Sequence, residues 1–410
     1  MGTRPVEFLR KERGIRLRNG FKVFDADSHV IYPADLWSRF LDEKYQHRVG
    51  RLAPMPGESY NPVTVDGRWT QHQTTLYRGF NDVLGWTEED RVAKYGAEII
   101  ERGFPGDLVA KALEQEGVDL MVVYGPEFDL WTFGIDPELQ AGMVRAYNRW
   151  GQEMAETSGG RVLTSGPVAL NDVSRAVEEI QYAYDHLGIR CFWARPDFFN
   201  GRNLGDRYYD PIWELLQDLD CAFGTHEFMG LNGQTAGSER FTTFTEWHVV
   251  IHPHEAQSAM VSMICHGVFE RYPRLRCAYM EAGCGWLPSM LHRIDEHLEI
   301  AGAEFPELTM SATTYFKRNC WISAECEDPF VADVIRWLGD DHIVYETDFP
   351  HPDSKFPRAT EEFLSLRPDL ISMDSKRKIL WDDAVDLYRF PESMMPTTFA
   401  EGSAPALETA

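Results

Sequence analysis

Short apolar runs alternate with longer stretches of helical periodicity along most of the chain, the pattern of strands and helices taken in turn. The apolar runs are Phe21 to Val30, Leu120 to Gly125, Arg161 to Leu170, Ile189 to Pro196, Cys221 to Glu227, Arg276 to Pro288, Cys320 to Glu325 and the run that begins at Ile343. Between them the spacing predicts helices over Pro137 to Ser158, Ser174 to Leu187, Tyr209 to Leu219, Glu255 to Phe269, Leu287 to Ile300 and Pro329 to Leu338. Gly188 is a suitable stop for the second of these. Eight strands, each followed by a helix, predict a closed parallel α/β barrel of the (β/α)8 type. Its first and last strands would be neighbours.

Two segments break the alternation. Ile31 to Gly117 contains the Pro- and Gly-rich piece APMPGESYNP and the helical run TEEDRVAKYGAEI. It is too long for a simple connection, and predicts an insertion over the mouth of the barrel. Phe228 to Phe244 turns rich in Gly, Thr and Ser, which predicts an extended loop after the fifth strand. The expected organisation is an N-terminal arm over 1–20, one barrel domain over 21–390 with the insertion at 31–117, and a flexible tail over 391–410. A length of 410 residues suits such a barrel.

Composition narrows the setting. No apolar run approaches the roughly 20 residues that span a bilayer, and the basic N-terminus lacks the apolar centre of a secretion signal. A cytoplasmic protein is expected. A formal charge of -25 argues against nucleic acid or an anionic membrane as partner, leaving a small-molecule substrate. Seven cysteines are present without a C-x-x-C pair, so free thiols are expected; Cys284 lies nearest the candidate chemistry.

That chemistry gathers at strand ends. Asp25, Asp27 and His29 alternate in the first strand, so all three are expected on one face, a row of donors suited to a divalent metal. The last strand, in IVYETDFPHPDS, delivers Asp348 with His351 just beyond. The fifth ends in His226 and the sixth in Glu281. Arg195, ending the fourth, either binds a substrate carboxylate or pairs with Asp197. His254, placed at the predicted start of a helix, is preferred to His252 as a catalytic contact. Trp286, with Trp131, Trp193 and Trp247, either lines a pocket or packs in the core. No G-x-S-x-G, dinucleotide-binding glycine pattern or P-loop occurs.

The succession DADSH, YNRWGQEMAE, the strand ending in His226, FERYPRLRCAYMEAGCGWLP and ETDFPHPDS resembles the amidohydrolase superfamily, in the branch that includes aminocarboxymuconate semialdehyde decarboxylase. It covers roughly residues 21 to 390. The resemblance implies a TIM barrel with one catalytic divalent ion, zinc first and manganese or iron as alternatives, and often a homodimer. Its ligand positions map onto Asp27, His29, His226 and Asp348. Asp27 stands where members commonly have His or Glu, and Glu281 where the decarboxylases usually have His. The expected function is therefore metal-dependent hydrolysis of a carbonyl-derived bond (amide, ester, thioester or carbon–carbon) in a small organic substrate, carboxylated or not. Asp348, Glu281 and His254 are the expected catalytic residues, and Arg195, His351 and Trp286 the expected substrate contacts. Non-oxidative decarboxylation of an aromatic or dienoic acid is the alternative, and a non-catalytic binding protein the third reading.

Overall fold

The structure is a computed structural model that describes residues 20–30, 32–33, 35–51, 63–69, 85–125, 130, 134–227, 235–236, 240–241 and 243–396. All but the last residue of the predicted arm, most of the loop after the fifth strand, Trp131 and most of the predicted tail lie outside these residues. Eight strands run in one direction: β1 (Phe24–Ser28), β2 (Leu120–Val123), β3 (Val162–Thr164, resumed after Ser165 as Gly166–Pro167), β4 (Cys191–Ala194), β5 (Ala222–Thr225), β6 (Arg276–Tyr279), β7 (Cys320–Glu325) and β8 (Ile343–Glu346). Each pairs in parallel with the next, the two pieces of β3 joining β2 on one side and β4 on the other. The ring closes between β8 and β1, where the His29 N–H donates to Phe349 O at 2.6 Å and the Thr347 N–H to the Asp25 carboxylate at 3.0 Å. The fold is the predicted (β/α)8 barrel.

The strands are almost wholly buried, because helices cover their outer faces. These helices are α1 (Gly106–Glu116), α2 (Pro137–Thr157), α3 (Val173–His186), α4 (Asp210–Asp218), α5 (Phe244–Cys265), α6 (Leu287–Ala301), α7 (Val331–Leu338) and α8 (Asp383–Tyr388). The start of α5 departs from the sequence pattern. Pro253, which suggests a first turn, lies inside the helix. The actual start is a capping box, Thr243 Oγ1 accepting from the Glu246 N–H while the Glu246 carboxylate accepts from the Thr243 N–H. At the other end of the chain, the Tyr388 hydroxyl on α8 donates to Ala26 O at 2.7 Å and lies 3.0 Å from the Tyr124 hydroxyl, beneath the barrel's mouth.

The described part of the insertion does two things. The helix Leu36–Phe40 lies against α2, with Arg149 donating to Phe40 O at 2.9 Å. The helix Glu88–Tyr95 grips the loop after β8: Lys94 donates to Pro352 O at 2.9 Å, and the Tyr95 hydroxyl to Pro350 O at 2.7 Å. Val49–Arg51, Val63–Val65 and Arg68–Trp69 form a small antiparallel sheet. Among the described residues no helix is long and apolar enough to cross a membrane.

Candidate metal centre

Four barrel strands bring their C-terminal ends together at one point. His29 Nε2 lies 3.2 Å from Asp348 Oδ1 and 3.5 Å from Glu281 Oε2. His226 Nε2 lies 2.8 Å from Glu281 Oε2 and 3.3 Å from Asp27 Oδ2. Ligand atoms of Asp27, His29 and His226 stand within 4.8 Å of one another, as do those of His29, Glu281, Asp348 and His351. The expected set Asp27, His29, His226 and Asp348 thus converges, with Glu281 and His351 beside it.

Local geometry fixes each donor. The His29 Nδ1–H donates to Tyr124 O at 3.1 Å, which turns Nε2 toward the carboxylates; burial opposes protonation of the ring, but Asp348, Glu281 and Asp27 outweigh this and hold it well above its ordinary value. Gly224 is required beneath His226, since a Cβ there would stand 2.4 Å from the Tyr124 hydroxyl; the Tyr124 ring stacks on the His226 imidazole at 5.6 Å. Glu281 and Asp348 both hold positive φ, 44° and 55°, a region that Glu enters rarely and at a cost. The expected alternation of β1 fails at one residue. The β1–β2 register shifts between Asp25 and Ser28, and Asp25 spends its carboxylate on Ser28 Oγ, at 2.6 Å, and on Thr347 instead of joining the cluster.

The donor set suits a cation. Asp27 is 2% exposed, and neither of its oxygens accepts a hydrogen bond among the described residues. A bare buried carboxylate is costly unless paired or metal-bound. Burial pushes Asp27 well above the usual carboxylate range, and Glu346, Glu281 and Asp348 add to this against the opposing pull of His29. Burial lowers His226 to about 4, keeping the imidazole neutral as a ligand requires. Oxygen and imidazole donors together fit zinc, manganese or ferrous iron.

Other expected residues fall elsewhere. His254 is exposed on the outer side of α5, its Nδ1–H donating to Val250 O at 2.8 Å, so it does not reach the cluster. At about 100° per residue along a helix, the longer α5 turns His252 inward instead. Buried His252 donates from Nδ1 to Glu281 O at 3.1 Å and lies 3.4 Å from Glu281 Oε1. Arg195 is 4% exposed and pairs with Asp197, at 2.8 Å, and with Glu227, so its charge is taken up by the protein. His351 sits at the cluster, its Nδ1 2.7 Å from Asp348 Oδ1 and its ring stacked on His29 at 4.4 Å. Burial opposes its protonation, but Asp348 outweighs this and lifts it to about 9. Trp286 is half-buried just before α6, in the loop that follows Glu281, donating to Ala282 O at 3.0 Å. Cys284 is buried against Asp328, and burial pushes its thiol well above the ordinary range, which argues against a thiolate nucleophile.

A family model described as amidohydrolase matches residues 133–390, from before α2 to beyond α8. The chain belongs to the amidohydrolase family. This amidohydrolase is 22% identical over 266 residues to a 2-amino-3-carboxymuconate-6-semialdehyde decarboxylase of Dictyostelium discoideum, covering 63% of this chain and 70% of the relative. An amidohydrolase structure from Mycobacterium avium subsp. paratuberculosis superposes with a TM-score of 0.70 at 23% identity, over 90% of this chain and 99% of that one. A manganese-bound 5-carboxyvanillate decarboxylase of Novosphingobium aromaticivorans does so with a TM-score of 0.65 at 15% identity, over 90% and 98%. The structural likenesses establish a shared fold.

Proposed function

We propose that this amidohydrolase catalyses metal-dependent, non-oxidative decarboxylation of an aromatic or dienoic carboxylic acid. The observation that carries the reading is the convergence of Asp27, His29, His226 and Asp348 at the barrel mouth with a further imidazole, His351, whose Nδ1 is held 2.7 Å from Asp348 Oδ1. Two of the similar proteins, named as decarboxylases of a dienoic and an aromatic acid, support decarboxylation over the hydrolysis that the sequence ranks first.

Asp27, His29, His226 and Asp348 would hold the ion. When bound, a divalent ion supplies a Lewis acid that holds an acid's oxygens and stabilises charge developing on them. The site carries both histidine and carboxylate donors, so manganese stands beside zinc as its occupant. The chain's own residues supply the rest. Decarboxylation exchanges a carboxylate for hydrogen: the carbon–carboxyl bond breaks, carbon dioxide leaves, and one proton is delivered to the carbon. His351 Nδ1, 2.7 Å from Asp348 Oδ1, is placed to carry that proton, and the pair can pass it onward. Tyr95 and Lys94 hold the loop that carries His351.

Hydrolysis remains the second reading because Glu281, a carboxylate 2.8 Å from His226 Nε2, can take a proton from water. Incubating metal-loaded protein with a panel of hydroxybenzoic and dienoic acids in D2O separates the two. Carbon dioxide release with one deuterium on the product carbon is the expected result. Acyl cleavage without carbon dioxide would instead establish hydrolysis.

A further inference from the structure

Beneath the candidate metal cluster lies the end of the last barrel helix. Phe24 opens β1 and Arg276 opens β6, so both mark the end of the barrel opposite the mouth. The Phe24 ring stacks on Tyr388 at 5.4 Å, and Arg276 Nε donates to Leu387 O at 2.6 Å, which pins the close of α8 to that end. From there the Tyr388 hydroxyl meets the middle of β1. It donates to Ala26 O at 2.7 Å, in the stretch where the β1–β2 register shifts. Because a phenol has one proton to give, the 3.0 Å bond between the Tyr388 and Tyr124 hydroxyls is donated by Tyr124. Both tyrosines are buried.

We propose that Tyr388 is a positioning residue for the metal centre, setting the donors of β1 and β5 through Ala26 and Tyr124. The proposal rests on the reading of that centre as metal-binding. Ala26 directly precedes Asp27, so a bond to its carbonyl fixes the peptide plane that leads into Asp27. Tyr124 serves two further donors. Its carbonyl accepts the His29 Nδ1–H at 3.1 Å, and its ring stacks on the His226 imidazole at 5.6 Å. One hydroxyl, 362 positions from Ala26 in sequence, thus touches the groups that hold Asp27, His29 and His226. Contacts of this kind, one step behind the donors, orient metal ligands and tune affinity. The competing account is that the hydroxyl only satisfies the Ala26 carbonyl, at a place where the ladder is irregular. That account predicts a loss of stability on its removal, with metal binding unchanged.

The experiment is a Co2+ titration of full-length, metal-stripped protein, followed through visible absorption and set beside thermal melts. Tyr388→Phe removes the hydroxyl and keeps the ring on Phe24. It is expected to bind Co2+ about tenfold more weakly than wild type, with shifted absorption bands. Tyr124→Phe leaves the Tyr388–Ala26 bond in place and should lose less, and the double variant should lose no more than Tyr388→Phe, since the two hydroxyls act as one chain. Tyr345→Phe is the control. Tyr345 is also buried, and its hydroxyl lies 3.3 Å from Thr360 Oγ1, so this variant should melt earlier yet bind Co2+ as wild type does. Unchanged affinity in Tyr388→Phe, or equal weakening in Tyr345→Phe, would overturn the positioning role and leave the metal centre intact. Should Tyr388→Phe fail to fold, Tyr124→Phe against the same control decides, wild-type affinity again overturning the role. No uptake by wild type would overturn both readings.

Discussion

At residue scale, the sharpest expectation attaches to Asp348. It meets His29 and His351 at once and sits at φ 55°, a conformation that Asn adopts as readily as Asp. Asp348→Asn should therefore keep the backbone while removing a charged donor and the acceptor of the His351 proton. Turnover is expected to fall by a factor of about 10² or more with an unchanged melting transition. His226→Ala should behave differently. It removes a neutral ligand from a buried position, so metal content falls first, and excess metal restores part of the activity. Steady-state kinetics beside metal analysis separate the two; near wild-type turnover in Asp348→Asn would exclude it from the chemistry.

At the scale of elements, the strands were legible because their apolar runs are short and bounded, and so were the strand ends that carry Asp27, His29, Arg195, His226, Glu281 and Asp348; Glu346, buried at the end of β8, was not singled out. What the pattern hid was the phase of α5. Pro253 reads as a helix start, yet the T-x-x-E box at Thr243 is the true signal; taking it would have exchanged His254 for His252. The register shift that turns Asp25 aside leaves no mark in the sequence, since alternation assumes an unbroken strand. The commitment of Arg195 to Asp197 and Glu227 depends on how β4 and β5 sit side by side. Packing between elements also sets a pH dependence. Glu116, ending α1, is buried and accepts the Thr360 N–H at 2.7 Å, and burial lifts it from 4.5 to about 7. The folded state thus holds a proton that the unfolded chain releases near pH 4.5. The associated stability is full below that pH and is lost as pH rises through about 7. Glu116→Gln keeps the acceptor and removes the titration. It should raise stability at pH 8 by about 1 to 3 kcal/mol and change it little at pH 4, as denaturant melts at the two pH values will show.

At the scale of the whole molecule, the site exists only because the first strand meets the last. Asp27 and His29 come from β1 and Asp348 follows β8, so the metal cluster straddles the seam. Asp25 is the residue that joins the seam: its carboxylate accepts the Thr347 N–H at 3.0 Å, 322 positions away in sequence, together with the Ser28 and Thr347 hydroxyls. Removing it strands a buried N–H and leaves the Ser28 and Thr347 hydroxyls, 3.1 Å apart, with only each other to share one bond; a buried polar group left unsatisfied costs about 1 to 3 kcal/mol. Asp25→Ala should accordingly destabilise the fold by about 3 kcal/mol or more. Asp25→Asn should do far less harm, because an amide oxygen can accept from Thr347 N while its NH2 donates to the hydroxyl oxygens. The two variants also predict different metal behaviour. With the seam loosened in Asp25→Ala, ligands from opposite ends of the chain lose their registration, so metal affinity should fall even though none of them has been changed. Asp25→Asn should keep it. Denaturation and metal titration of both variants test this together, and an Asp25→Ala protein with wild-type stability and affinity would show that the seam is held by the His29–Phe349 backbone bond without Asp25.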